Sequence, residues 1–95
     1  PKEIEQVLDD QIGVLESAVI GVPDPDFGET VLGVIVAESG QSPDLDAMMD
    51  AIRSALARFK HPRKLILLDE LPRNTMGKVQ KNILRGQYKD MFASS

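Results

Sequence analysis

Residues 14–37 read VLESAVIGVPDPDFGETVLGVIVA, and this stretch decides the fold. Its two ends, residues 14–22 and 30–37, are apolar and rich in the β-branched side chains that favour strands. Residues 23–29 between them concentrate proline, aspartate and glycine, which favour turns because proline fixes φ and glycine permits positive φ. We therefore predict two strands that pair antiparallel, joined by a loop over residues 23–29.

Helices are predicted on both sides of this strand pair. Residues 2–11 repeat apolar side chains at i, i+3 and i+4, the pattern of a short amphipathic helix. Farther along, Ser42 and Pro43 suit the N-cap and first position of a second helix, and Pro62 would end it. The apolar stripe of that second helix comprises Leu45, Met48, Met49, Ile52, Leu56 and Phe59.

The rest of the chain adds one strand and one helix. Residues 64–68 form a short apolar strand, and residues 80–92 carry apolar side chains on one helical face and basic ones on another. The element order is α-β-β-α-β-α within one domain, residues 1–95. This order predicts an α+β fold in which a small three-stranded, mainly antiparallel sheet is covered by helices.

The composition excludes several classes of protein. With 95 residues, 42% of them apolar, the chain can bury one core of ordinary globular type. It has no run of about 18 apolar residues that could span a membrane and no signal sequence, so a cytoplasmic location is expected. Because it lacks cysteine and His61 is its single histidine, it offers no disulfide and no thiolate or histidine metal site.

The net charge of −4 conceals an uneven distribution of charge along the chain. Residues 1–52 hold 12 acidic residues and one lysine, whereas residues 53–95 hold 10 basic and three acidic residues. The second half is therefore a candidate anion-binding surface. Its few aromatic side chains do not alternate with the basic ones as base-stacking platforms would, which favours small phosphorylated ligands over nucleic acid.

Within the basic half, residues 71–78 read LPRNTMGK and form a polar loop between the third strand and the last helix. Lys78 follows Gly77, so a flexible tip would present it to a partner's cleft as a compact charge that suits a phosphate or carboxylate. The segment lacks the upstream glycine and the following Ser/Thr of a Walker loop. The alternative is a solvated turn. An anion site is favoured by the neighbouring cations, which are Arg73, Lys81 and Arg85.

Residues 71–85, LPRNTMGKVQKNILR, resemble the final signature of the adenylate-forming enzymes. This superfamily comprises acyl-CoA synthetases, peptide-synthetase adenylation domains and luciferases. Three upstream blocks are similar to its small C-terminal domain in order and spacing, namely residues 3–5 (EIE), 16–29 (ESAVIGVPDPDFGE) and 59–63 (FKHPR). Lys81 stands where arginine is common, and Phe59 where tyrosine is common. Among the subfamilies, the residues of these four blocks most resemble malonyl-CoA synthetase.

The resemblance implies an activity that belongs to a longer protein. These enzymes use ATP and Mg²⁺ to convert a carboxylate into an acyl-adenylate and pyrophosphate, and then transfer the acyl group to the thiol of CoA. Their small domain is a mobile lid on a large N-terminal domain. The first residue is Pro1 and not Met, so we expect a fragment of a longer protein. The resemblance implies that the large domain and its hinge precede Pro1. By itself the chain is expected to bind no cofactor and to be inactive.

The resemblance also implies roles for particular residues. Lys78 corresponds to the lysine that stabilises adenylate formation. The loop residues expected to support it are Arg73, Asn74, Thr75 and Gly77. For thioester formation the small domain turns its opposite face to the active site, where Arg53 is a candidate contact for CoA; a solvated helix face is the alternative. Salt bridges at the surface or between domains, each worth under about 1 kcal/mol, are expected for Arg58, Lys60 and Arg63.

Two other functions stay open at this point. The adenylation domain of a peptide synthetase would use the same lysine but pass its product to a carrier-protein thiol. Alternatively, the chain is an acceptor module for a protein lysine acetyltransferase, since related synthetases are modified at a loop lysine of this kind. Acetylation would remove the charge of Lys78 and block adenylation. The expected partners are thus the large domain, CoA, a carboxylic acid and an acetyltransferase, without nucleic acid.

Overall fold

The computed structural model describes residues 2–26, 28–57 and 61–92. The elements follow the predicted order α-β-β-α-β-α, which confirms the α+β class. They are α1 (Lys2–Asp9), β1 (Val14–Asp24), β2 (Gly28–Ala37), α2 (Leu45–Ala55), β3 (Lys64–Leu68) and α3 (Lys81–Tyr88). The expectations for Arg58, Phe59 and Lys60 fall outside the described residues. No helix in the described ranges is long and apolar enough to cross a membrane.

The three strands form one sheet in the order β1-β2-β3. Strands β1 and β2 pair antiparallel, as predicted, from Val14 opposite Ala37 to Asp24 opposite Gly28. Strand β3 pairs with β2 in parallel. The sheet is therefore mixed, because α2 crosses over between β2 and β3 and returns the chain in the same direction.

The connection between β1 and β2 is shorter than the predicted loop. Pro23 pairs with Glu29 and Asp24 with Gly28, so both strands extend into the stretch 23–29. A proline is accepted here because β1 is an edge strand, where one side of the backbone has no neighbour in the sheet. The backbone N–H of Asp26 donates to Asp24 Oδ1 at 2.8 Å, and Gly28 has a φ of 79°, which together turn the chain.

Helix α2 begins and ends at other residues than predicted. Its N-cap is Asp44 rather than Ser42, and the Asp44 side chain accepts hydrogen bonds from the backbone N–H groups of Asp46 and Ala47. Both residue types are good caps, but Asp44 also places a negative charge at the positive end of the helix dipole. The helix ends at Ala55, because Leu56 is extended at φ −127° while still packing against the core. Helix α3 likewise stops at Tyr88, before the predicted residue 92.

The core consists of two apolar clusters, one on each face of the sheet. Along β2, Ile35 points into one cluster, and the adjacent residues Val34 and Val36 point into the other, because successive side chains of a strand point to opposite faces. Helices α1 and α2 cover the first face with Ile4, Leu8, Met48 and Ile52. Helix α3 covers the second face with Leu84, beside Leu71 from the loop between β3 and α3. We call these the α1/α2 face and the α3 face.

Candidate functional site

The predicted loop is a small β-hairpin on the α3 face. Its base is fixed by Leu71, which is buried in the core of that face, and by Val79, which packs against the same cluster. Arg73 and Val79 form an antiparallel bridge. One further hydrogen bond, from the backbone N–H of Gln80 to the carbonyl of Pro72 at 2.8 Å, closes the base. The base of the loop is therefore anchored in the core of the α3 face.

Asn74 organises the tip of this hairpin. Its backbone N–H donates to the carbonyl of Lys78, and its own carbonyl accepts from the N–H of Gly77, both at 3.0 Å. The side-chain Oδ1 accepts from the backbone N–H groups of Met76 and Lys78, each at 2.9 Å. Gly77 has a φ of 82°, which a three-residue hairpin loop of this kind requires. The tip is thus more defined than the flexible one predicted, with Thr75 exposed at its end.

Lys78 is exposed, and no carboxylate pairs with it in the part of the chain that the structure describes. It borders an open groove of about 440 Å³ that continues along the start of α3. The other residues lining this groove are Val79, Gln80, Lys81, Asn82 and Arg85. Three cations and two amides around one groove suit a small anion such as a phosphate or carboxylate.

Two acidic residues from the first half of the chain hold the cations that flank Lys78. Arg73 pairs with Glu16 of β1 and also donates from Nη1 to the carbonyl of Gly77 at 2.7 Å. Lys81 Nζ lies 2.7 Å from Glu5 Oε2, which also accepts the backbone N–H of Val19 at 2.7 Å. Sequence reasoning did not identify these carboxylates as partners of the loop, although the opposite charge of the two halves was the available signal.

Arg53 lies on the other side of the domain, on the exposed surface of α2. Its Nη1 is 3.1 Å from Asp50 Oδ1, and the two side chains are 60% and 73% exposed. A second open groove, of about 520 Å³, is bordered by Arg53, Arg63 and Lys64 among other residues. Because α2 belongs to the α1/α2 face, the structure does not bring Arg53 and Lys78 together.

Arg63 is exposed and forms a salt bridge, as expected, but its partner is a buried carboxylate within the domain. Its guanidinium donates to the carboxylate of Asp24, whose side chain is fully buried. The same guanidinium lies over the ring of Phe92, 4.6 Å from its centre. Arg63 therefore joins three distant parts of the chain within the domain.

The donor set for a metal ion is absent from the ranges 2–26, 28–57 and 61–92. No group of three His, Cys, Asp or Glu side chains in these ranges is arranged to hold one. The charged groups at the hairpin are instead cations, or carboxylates already paired with cations. The site is suited to hold an anion.

The sequence is similar to a family of enzyme domains and to individual CoA ligases. Residues 3–78 match the AMP-binding enzyme C-terminal domain family. The chain is 40% identical over 88 residues to the long-chain-fatty-acid–CoA ligase FadD13 of Mycobacterium tuberculosis, covering 93% of this chain and 17% of that protein. It is 44% identical over 87 residues to 4-chlorobenzoate–CoA ligase of a Pseudomonas species, covering 88% of this chain and 16% of that protein.

Solved structures agree with the sequence matches. ATP-bound MatB from Rhodopseudomonas palustris superposes with a TM-score of 0.93 at 53% identity, covering 97% of this chain and 18% of that one. The chain thus spans only 17% of the length of the FadD13 ligase that it matches. In each of these proteins, most of the molecule lies outside the region that is similar.

Proposed function

The chain belongs to the family of AMP-binding enzyme C-terminal domains, and from this premise we propose that it is the mobile C-terminal domain of an ATP-dependent acyl-CoA synthetase. The complete enzyme would convert a carboxylate and ATP into an acyl-adenylate and pyrophosphate, and then form a thioester with CoA. A cytoplasmic location is part of the proposal. The observation that carries it is Lys78, an exposed cation on a defined hairpin beside a groove lined by further cations.

Lys78 would act in the first step. An oxygen of the substrate carboxylate attacks the α-phosphorus of ATP, and the bond from that phosphorus to the pyrophosphate oxygen breaks. Both reactants are anionic, and charge accumulates on the phosphoryl oxygens as the carboxylate approaches the α-phosphate. A lysine that donates to both groups offsets their repulsion and stabilises the transition state, and no covalent bond to the protein is needed. The hairpin supports this role, since its hydrogen bonds set the direction of the Lys78 backbone before substrate arrives.

Magnesium does not fit the described residues of this chain. The groove at Lys78 is lined by cations and amides, whereas Mg²⁺ is bound by carboxylates, phosphates and water. We therefore assign any metal site of the complete enzyme to its large domain.

The second step would use the α1/α2 face. Lys78 and Arg53 lie on opposite faces of the sheet, so one orientation of the domain cannot present both to the same active site. A rotation of the domain between the two steps would resolve this conflict. In the second orientation Arg53 would contact a phosphate of CoA. Its groove is also lined by Arg63 and Lys64 and by the carboxylates of Asp46 and Asp50, so three cations there face two anions.

Malonate is the first carboxylic acid to test. The similarity to MatB, a malonyl-CoA synthetase, supports this choice, as does the resemblance of the motif residues to that subfamily. A carrier-protein thiol is the alternative acceptor, as in a peptide synthetase. Supplying the full-length protein with malonate and ATP, and then with either CoA or a phosphopantetheinyl carrier protein, distinguishes the two acceptors by which thioester forms.

The central experiment replaces Lys78 with Ala in the full-length protein. Adenylate formation, measured as ATP–pyrophosphate exchange, should fall by roughly 10²–10³, the usual cost of removing one donor to a developing charge. Thioester formation from a supplied acyl-adenylate should be unchanged. Lys89→Ala serves as the control, since Lys89 is an exposed lysine of the same region that does not line the groove. Equal loss of both steps would show that Lys78 is not specific to adenylation.

Regulation by acetylation is a second proposal for the same residue. Lys78 is exposed and carries no ion pair within the described ranges, whereas Lys81 is paired with Glu5. An acetyltransferase would thus meet an available amine at Lys78, and acetylation would remove the charge that adenylation needs. Incubation with acetyl-CoA and a candidate acetyltransferase, followed by mass spectrometry, should show Lys78 modified first. Modification spread evenly over all lysines would argue against recognition of this site.

A further inference from the structure

We infer that Glu16 is a positioning residue for the proposed adenylation step, which it controls through Arg73 and the direction of Lys78. This inference rests on the proposed function. Glu16 lies on β1, 57 residues before Arg73, and its side chain is 26% exposed. It accepts from Arg73 Nη2, while Nη1 of the same guanidinium donates to the carbonyl of Gly77 at 2.7 Å. One side chain therefore connects the sheet to the residue that precedes Lys78.

The carbonyl of Gly77 matters because it belongs to the peptide plane that leads into Lys78. The N–H end of this plane donates to Asn74 Oδ1 at 2.9 Å, and its carbonyl end accepts from Arg73, so Asn74 and Arg73 together hold the plane that follows Gly77. The planar guanidinium of Arg73 donates in two fixed directions, one toward the carbonyl and one toward Glu16. With Glu16 in place, Arg73 is held in one rotamer and holds the peptide plane in turn.

A β-bulge in β1 aims Glu16 at the hairpin. Val14 packs in the core of the α1/α2 face, and in a regular strand a residue two positions later would point to the same side. The register of β1 against β2 shifts between Val14 and Glu16, which reverses the alternation at that point. Glu16 thus shares its side with Ala18, in the core of the α3 face, and reaches Arg73. Bulges commonly redirect a side chain next to a functional site.

Glu16 contacts Arg73 and does not line the groove at Lys78, so its loss should change the orientation of Lys78 rather than the binding of substrate. In the full-length protein, Glu16→Ala should lower kcat for adenylation about tenfold, within the range known for small misplacements of a catalytic group. The KM for ATP and the rate of thioester formation from a supplied acyl-adenylate should stay unchanged. Glu16→Asp should recover part of the lost rate, because it restores the charge on a side chain one methylene shorter.

A double-mutant cycle tests whether Glu16 acts through Arg73. If it does, Glu16→Ala should have no further effect on adenylation in the Arg73→Ala background. Glu38→Ala, which removes an exposed carboxylate from the loop after β2, is the matched control and should leave both half-reactions unchanged. Additive losses in the double variant, or equal loss in both half-reactions, would overturn the inference.

A second measurement needs no activity and uses the 95-residue chain itself. In ¹⁵N relaxation, the Gly77 and Lys78 amides should have order parameters of about 0.85, falling to about 0.6 in Glu16→Ala. Amides of β2 should not change. If the amides loosen but adenylation is not slowed, the positioning role is wrong and the proposed function stands. If Lys78→Ala leaves adenylation intact, the proposed function itself fails.

Discussion

Arg63 donates a hydrogen bond to the carboxylate of Asp24, a residue 39 positions earlier whose side chain is fully buried. The backbone N–H of Arg63 also donates to the carbonyl of Val31 at 2.8 Å. Together with the ring of Phe92 beneath the guanidinium, these contacts tie the start of β3 to the β1–β2 hairpin and to the residues after α3. The cation is a structural element of the domain, although it stands at the edge of the groove proposed for CoA.

Replacing Arg63 with Ala should destabilise the domain by about 2 kcal/mol. Removing one partner of a buried ion pair costs about 3–5 kcal/mol because the other charge stays in the interior. The Arg63 side chain is 44% exposed, so water would offset part of that cost. Urea unfolding followed by circular dichroism measures the change. Arg53→Ala removes an exposed pair and should cost under about 1 kcal/mol, so equal effects of the two variants would contradict the structural role of Arg63.

Gly33 can accept a methyl group only if the Leu65 side chain moves. A Cβ at this position would lie 2.5 Å from Leu65 Cδ2 and 3.6 Å from Leu8 Cδ1, within the core of the α1/α2 face. Gly33→Ala should therefore destabilise by about 1–2 kcal/mol through overpacking. The matched control is Gly86→Ala in α3, where a Cβ meets no atom within 4 Å. That change should stabilise by up to about 1 kcal/mol, and thermal unfolding of both variants should give shifts of opposite sign.

Asn74→Ala should impair adenylation in the full-length protein without unfolding the domain. The change removes the acceptor of two backbone N–H groups at the tip, so the hairpin would lose its defined shape. We expect about a tenfold loss of ATP–pyrophosphate exchange, comparable with other misplacements of a catalytic group. Asn74→Asp keeps the Oδ1 acceptor and should retain most of the activity. Wild-type activity in Asn74→Ala would show that the tip does not need this side chain.

Arg53→Ala should affect the thioester step alone. Loss of a hydrogen bond between a guanidinium and a phosphate costs about 1.5 kcal/mol or more, which corresponds to roughly a tenfold rise in the KM for CoA. Adenylate formation should not change, because Arg53 and Lys78 lie on opposite faces of the sheet. Steady-state kinetics with CoA as the varied substrate, beside ATP–pyrophosphate exchange, separates the two steps. An unchanged KM for CoA would favour the alternative that Arg53 is only part of a solvated helix face.

Local sequence patterns predicted the element order and the β1–β2 pairing, because apolar spacing and turn residues act over a few positions. They were less successful where two local signals competed. Ser42 and Asp44 are both suitable caps, and the cap observed is the one whose side chain reaches two N–H groups. The predicted helix extended past Ala55 because Leu56 fits the apolar spacing. In the structure Leu56 packs against the core in an extended conformation, and apolar spacing alone does not distinguish that conformation from a helix.

The fold class and the candidate Lys78 followed from local sequence patterns, since the glycine and lysine lie in one short stretch between a strand and a basic helix. Which carboxylates hold the neighbouring cations depends on tertiary packing. Glu5 and Glu16 reach Lys81 and Arg73 across the chain, and Glu16 does so through a bulge that no periodicity predicted. Ion pairs between distant residues depend on which faces the packed elements present to each other. The opposed placement of Arg53 and Lys78 has the same origin, because α2 and α3 pack on different faces of one sheet.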